Sequence, residues 1–287
     1  MLAIIGILVV TGAVIGGYIL EKGHLMVLFQ PAEFVIIGGA AIGSLLIGTP
    51  IKVLKRIVSQ VFKVMGSGPN RKAYTELLVM MFELFNVARK DGLVGLESHI
   101  EKPKESAVFK KYPDFLKNSH ALSFLSDTMR LIIMGGVPEH DLEAMMDLDL
   151  ETHHEENAKP SLSLARIGDA LPGLGIVAAV LGVVITMGAI GGPPEEIGHK
   201  VGAALVGTFL GVLLSYGYVQ PLAANLSAMN ELESKYYICL KQALLAFHKG
   251  FAGAIAVEYA RRVIPADIRP SFAEVEKACR AAKTTTN

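Results

Sequence analysis

Two prolines stand inside otherwise apolar runs of this 287-residue chain, Pro172 near the start of residues 169–191 and Pro221 at the end of residues 201–221. A proline within a helix removes one hydrogen bond and presses on the preceding turn, leaving carbonyls that need other partners. The polar stretch Gly192-Pro193-Pro194-Glu195-Glu196 joins the two runs, and a hairpin folded about position 196.5 sets Pro172 opposite Pro221. Paired breaks at one depth suit a gate or hinge. Acid chemistry is harder to find: Glu33 and Asp169 sit at the ends of their apolar runs, and no carboxylate occupies the middle of one. A proton-driven device needs an intramembrane acid that can be neutralised and recharged, so a conducting role requires a partner to bring it. Thr186, Thr208, Ser215, Tyr216 and Tyr218 could bond across helices or wet a narrow path. Alone they cannot carry protons.

The elements that hold these residues follow from composition. The chain is 52% hydrophobic with a mean hydropathy of +0.45, and its apolar residues are concentrated. Residues 2–20, 34–51, 169–191 and 201–221 contain no Lys or Arg. Each is long enough to cross about 30 Å of hydrocarbon at about 1.5 Å per residue. The second is expected to run on through residues 52–57, with Lys52, Lys55 and Arg56 reaching back to the interface. The fold expected is all-α, a polytopic membrane protein with four transmembrane helices and a helical cytoplasmic domain. Formal net charge is zero, yet of 27 Lys and Arg only Lys22 and Lys200 fall in the two short loops. By the positive-inside rule both termini and the long middle segment are cytoplasmic. The first span lacks a basic start and a small-residue cleavage site, so it reads as a retained helix.

The expected organisation is residues 1–57 for the first two spans, 58–168 for a cytoplasmic helical domain, 169–222 for the hairpin, and 223–287 for a helical tail. Within the cytoplasmic part, residues 71–90 repeat apolar side chains at helical spacing and Gly92 stops them. A second helix over 121–134 halts at Gly135-Gly136-Val137-Pro138, and a third, acidic one follows. The tail over 222–262 continues the last span as one helix. Gly207 and Gly211 form a G-x-x-x-G face, which fits close helix packing either within one subunit or against another. Gly173-Leu174-Gly175-Ile176-Val177-Ala178 imitates a dinucleotide fingerprint, but no strand precedes it, so it reads as a packing motif. His153, His154, Glu155 and Glu156 lack metal-ligand spacing and read as a solvated helix end. Cys239 and Cys279 carry no disulfide or zinc pattern, and no P-loop or activated nucleophile is present. Neither an enzyme nor a nucleic-acid binder is indicated, and no cofactor is implied.

With that topology, the chain resembles the MotA family of bacterial flagellar stator subunits over nearly its whole length. The resemblance is carried by residues 204–213 followed by Pro221, by residues 169–180, by Gln30-Pro31-Ala32-Glu33, by Arg89 to Glu97, and by Ile268-Arg269-Pro270-Ser271-Phe272. It implies that five such subunits surround two copies of MotB, whose single helix supplies the missing aspartate. Pro172 and Pro221 would then couple protonation of that aspartate to movement, Asp169 would support the cytoplasmic exit, and Arg89 and Glu97 would meet the rotor protein FliG. Sodium-type relatives carry Thr where this chain has Ala179, while Thr208 matches a position held by Thr in both types. Loss of that hydroxyl removes an oxygen able to replace sodium hydration, so the expected ion is H+ rather than Na+. The expected location is the bacterial inner membrane. Two alternatives stand beside this reading: an energiser of outer-membrane processes of the ExbB and TolQ type, and a passive membrane scaffold shaped by its prolines.

Overall fold

The computed structural model describes residues 2–64, 68–188 and 190–284, and every regular element among them is helical. Four helical stretches are long and apolar enough to cross a membrane: Leu2–Leu20, Leu25–Gly48, Glu139–Met187 and Pro194–His248. The chain divides into two compact units, Met1–Ser67 with Asn157–Met229, and Gly68–Glu156 with Asn230–Asn287.

In the first unit, α1 (Leu2–Leu20) is apolar on all sides and buries none of its residues, as suits a helix whose solvent is lipid. A short α2 (Leu25–Leu28) leads to α3 (Pro31–Gly48), where Pro31 takes the first helical position and its missing N–H costs nothing. The expected continuation of α3 through residues 52–57 does not occur. Thr49 is extended because it precedes Pro50, and proline disfavours helical backbone in the residue before it. Lys52, Lys55 and Arg56 therefore belong to a separate amphipathic helix, α4 (Ile51–Val64).

The second unit starts with α5 (Arg71–Glu101), capped by the Asn70 side chain, which accepts from Ala73 N–H at 3.0 Å. Gly92 interrupts it at φ 76° and ψ 178°, a backbone state open to glycine, and a further helical segment follows. A 3-10 turn (Phe109–Lys111) and α6 (Pro113–Lys117) lead to α7 (Ser119–Met134), which ends at Gly135 with φ 72°. The expected third cytoplasmic helix is the first part of α8 (Glu139–Met187), a 49-residue element whose later part is the third span.

The fourth span comprises α9 (Pro194–Val212), a π-helical turn (Leu213–Val219) and the start of α10 (Gln220–His248). The tail is not one helix to Arg262. Gly250 adopts φ 83°, and α11 (Gly253–Val263) and α12 (Phe272–Thr284) follow as separate elements. The core of the second unit gathers Tyr74, Leu78, Met81, Phe85, Leu125 and Leu244, with Phe85 stacked on Phe247 at 4.4 Å between ring centres. Lys241, 7% exposed, lies across from α8 and meets Glu143 at 3.1 Å and Asp147 at 2.8 Å.

Candidate functional site

The hairpin of α8 and α9 closes on a seam with almost no side chains in it. A Cβ on Gly211 would lie 2.6 Å from the Leu171 carbonyl oxygen and 2.7 Å from Gly175 Cα. One on Gly175 would lie 2.8 Å from the Gly207 carbonyl oxygen, and one on Gly182 would lie 2.7 Å from Ala204 Cβ. The G-x-x-x-G face is thus used within the chain, where backbone approaches backbone. Gly175 and Ala178, from the false nucleotide fingerprint, belong to the same seam.

These contacts also fix the register. Gly175 against Gly211 and Gly182 against Ala204 are each centred near residue 193 rather than 196.5. Pro172 therefore stands level with about residue 214, and Pro221 lies roughly seven residues, or about 10 Å, further along. The expected juxtaposition of the two prolines is not observed. Its cause is the turn, which comes earlier than its polarity suggests: α8 ends at Met187, and Pro194, Glu195 and Glu196 already form the first turn of α9. Proline at the first helical position and acids beside the positive helix end both favour starting a helix there.

The two prolines instead have different surroundings. Pro172 is continuous with helix on both sides, while Pro221 follows the π-helical turn. Pro221 has no N–H for the Gly217 carbonyl, and the Gln220 N–H reaches back five residues to the Ser215 carbonyl. One side chain fills a position that Pro172 leaves open, at the carbonyl four residues before it, and two further side-chain bonds tie the neighbouring helices. Ser215 Oγ donates to the Gly168 carbonyl at 2.6 Å, Gln220 Nε2 donates to Asp169 Oδ1 at 2.8 Å, and Tyr218 OH lies 2.9 Å from Thr11 Oγ1 on α1. Asp169 is thereby tied to the residue preceding Pro221. Gln220 was not among the residues singled out from sequence, and only the three-dimensional register reveals it.

Thr208 and Ala179 are both half-buried and flank the seam beside Gly207 and Ala178. Thr186 turns inward on its own helix, donating to the Gly182 carbonyl at 2.8 Å. Glu33 occupies the first turn of α3, as its sequence position indicates, and its carboxylate is directed at Gly207, well inside α9. The α2 segment packs alongside α9, and α3 follows it against the same helix.

Arg89 and Glu97 are exposed on α5, one before and one after the Gly92 break. Arg89 lines a cleft of about 460 Å³ with Glu83, Lys90, Asp91 and Lys283. His153 and His154 are not at a helix end but in mid-α8. His153 stacks on His120 at 3.5 Å, and His154 Nδ1 lies 2.9 Å from Ser234 Oγ. Among the described residues no group of three potential metal ligands comes together. Cys239 and Cys279 are free and buried, and burial pushes both thiols up, Cys279 to about 12.

Comparison with known proteins agrees with this architecture. Residues 4–92 match the family described as Motility protein A N-terminal, and residues 116–237 match the MotA/TolQ/ExbB proton channel family. Motility protein A of Salmonella typhimurium is 42% identical over 99% of this chain and 96% of its own length. Its Escherichia coli counterpart is 43% identical over the same shares. Among solved structures, the flagellar MotAB stator complex from Bacillus subtilis matches with a TM-score of 0.75 at 25% identity, covering 95% of this chain and 99% of that one. The MotAB structure of C. jejuni matches with a TM-score of 0.76 at 21% identity, covering 94% and 98%. Four apolar spans, a glycine seam and matches along the whole chain lead to one assignment: this chain belongs to the motility protein A branch of the MotA/TolQ/ExbB proton channel family, a family of membrane channel subunits rather than enzymes.

Proposed function

We propose that this chain is a stator subunit of the bacterial flagellar motor which, with MotB, conducts protons across the inner membrane and converts the flow into torque on the rotor protein FliG. The observation that carries the reading is the hairpin itself: a seam of glycine and alanine leading to Pro172, and a π-helical turn at Pro221 latched to Asp169 through Gln220. A wall so built has few hydrogen bonds to exchange, because its backbones are in direct contact along the seam. The MotAB complexes solved for relatives support MotB as the partner, and the family resemblance implies that it brings the intramembrane aspartate.

In the proposed cycle a proton entering from outside neutralises that aspartate, the uncharged group becomes compatible with the apolar wall, and the hairpin moves. Five copies around two MotB helices cannot present equivalent positions to both acids at once, so alternating protonation steps the ring. Arg89 and Glu97 pass the motion to FliG, with both termini and the second unit in the cytoplasm. The ExbB and TolQ alternative is disfavoured because two membrane-length helices precede the second unit.

The decisive variant is Pro172→Ala, assayed in cells lacking their own stator. Normal assembly with MotB and lost rotation is the expected outcome. Unchanged swimming would overturn the coupling role.

A further inference from the structure

Glu33 is the only ionisable residue of α3, and 6% of it is exposed. Its Oε2 is buried without a hydrogen-bond partner, and a Cβ on Gly207 would come within 2.6 Å of that oxygen. The same point lies 3.1 Å from Ala178 Cβ and from the Ala179 backbone nitrogen, so the carboxyl group sits where α3 meets both arms of the hairpin. The side chains around it are apolar, with Ile37, Ala178, Val206 and Leu210 in one cluster. A buried polar oxygen with no partner is costly, and a purely structural seam would be better filled by an apolar side chain.

Charged groups on the neighbouring elements do not neutralise it. On α9, Lys200 is paired with Glu196 at 2.8 Å and precedes Gly207 by seven residues, while Glu195 and His199 lie in the same outer turns. On α8, Asp169 is nine residues from Ala178 and bonded to Gln220. The α1 end carries Glu21 and Lys22, α2 has no charged residue, and His24 precedes it. A proton on this carboxyl group would remove the charge that its apolar surroundings penalise.

We propose that Glu33 is a proton-accepting station contributed by this chain, placed on the outer side of the hairpin seam ahead of the partner's acid. A proton from outside bonds to Oε2, making the group neutral and compatible with the glycine surface. That O–H bond then breaks as the proton passes, through water, to the partner's carboxylate, and Glu33 is left ready for the next. Gly207 is the vacancy that admits the carboxyl group. This rests on the proton-conducting reading above.

The test uses the full complex with MotB in membrane vesicles, measuring proton flux and assembly for Glu33→Gln and Glu33→Asp. Glu33→Gln keeps the size and polarity but cannot exchange the proton, so it is expected to assemble and to lose flux by at least about tenfold. Glu33→Asp is expected to retain an intermediate flux. Wild-type flux in Glu33→Gln overturns the proposal while leaving the proton-driven wild type intact. A wild-type flux carried by sodium and indifferent to a protonophore sinks the proton reading and this station together. Should Glu33→Gln fail to assemble, the wild-type complex is treated with dicyclohexylcarbodiimide, which reacts with protonated carboxyl groups in apolar surroundings. A mass-spectrometric adduct on Glu33 that weakens as pH rises is expected, and its absence at every pH where the partner's acid is modified overturns the idea.

Discussion

Gly211 and Gly198 lack the same atoms for unrelated reasons. A Cβ on Gly211 would press on the Leu171 carbonyl at 2.6 Å, whereas one on Gly198 would meet nothing within 4 Å. Overpacking a tight contact costs about 1–3 kcal/mol, and backbone atoms on the opposing side cannot rotate away as a side chain can. Gly211→Val is therefore expected to cut the amount of complex recovered with MotB at least about tenfold, a change of about 1.4 kcal/mol at the low end of that range. Gly198→Ala should leave recovery unchanged. Equal recovery of both variants would show that the seam tolerates separation. The latch at Pro221 makes a second expectation at this scale. Gln220→Leu keeps the volume near Gly168 but removes the donor to Asp169, so assembly should persist while rotation slows. Normal swimming in Gln220→Leu would leave the latch without a role in motion. Residue types and family motifs pointed to Pro172, Asp169 and Pro221, but not to Gln220, because a bond between residues 51 apart depends on a register that polarity alone placed wrongly.

At the scale of elements, most helix limits were legible wherever a glycine or proline acts alone. Gly135 ends α7 at positive φ, and Gly92 breaks α5 in the same way. Gly92→Ala forces a side chain into a state costing of order 1–3 kcal/mol, so α5 should straighten or lose stability at the break. Because Glu97 lies beyond the break and Arg89 before it, Gly92→Ala is expected to lower torque with normal recruitment to the motor. Normal torque would separate the break from rotor contact. Elements failed to be legible where a signal had two readings: Pro50 ended α3 although the basic residues after it looked like an anchored continuation, and the Pro194 stretch began a helix although it looked like a turn. The start of α12 shows a signal only geometry completes. Glu274 accepts from the Ser271 N–H at 2.6 Å, Ser271 Oγ accepts from the Glu274 N–H at 3.3 Å, and Arg71 reaches Glu274 at 2.5 Å. The Ser271 backbone bond, then the Arg71 side chain, hold the carboxyl at about 2, below its ordinary 4.5. A carboxyl depressed on folding stabilises above 4.5 and loses that contribution as pH falls towards 2. Thermal melting of Glu274→Gln should therefore fall below wild type at neutral pH and converge with it in acid. A gap that persists at pH near 2 would assign the effect to something other than this charge.

For the molecule as a whole, the charge asymmetry and the four apolar runs were legible because lipid imposes coarse rules on whole segments, and α8 and α10 each contribute residues to both units. Energy supply is also a property of this scale. One charge crossing 100 mV releases about 2.3 kcal/mol, enough to bias a small rearrangement and too little for a large one, so a motor driven this way advances in many short steps. A seam of glycines with few bonds to exchange suits such steps. Which charge crosses depends on what can desolvate it. A sodium ion stripped of water needs several oxygens in its place, while a proton needs only one acceptor at a time. Beside Gly207 and Ala178 the chain offers the Thr208 hydroxyl, a methyl at Ala179, and the single carboxylate of Glu33. Two oxygen-bearing side chains make a poor cage for sodium, which is what the proposed proton reading requires. Cells whose only stator contains this chain should swim at undiminished speed when sodium is replaced by potassium, and should stop when a protonophore collapses the proton gradient. Introducing Ala179→Thr adds one oxygen without removing the carboxyl relay, so proton-driven swimming should survive it. Swimming that follows external sodium and resists the protonophore would mean that backbone carbonyls freed at the prolines supply the missing oxygens, and the proton assignment would fall.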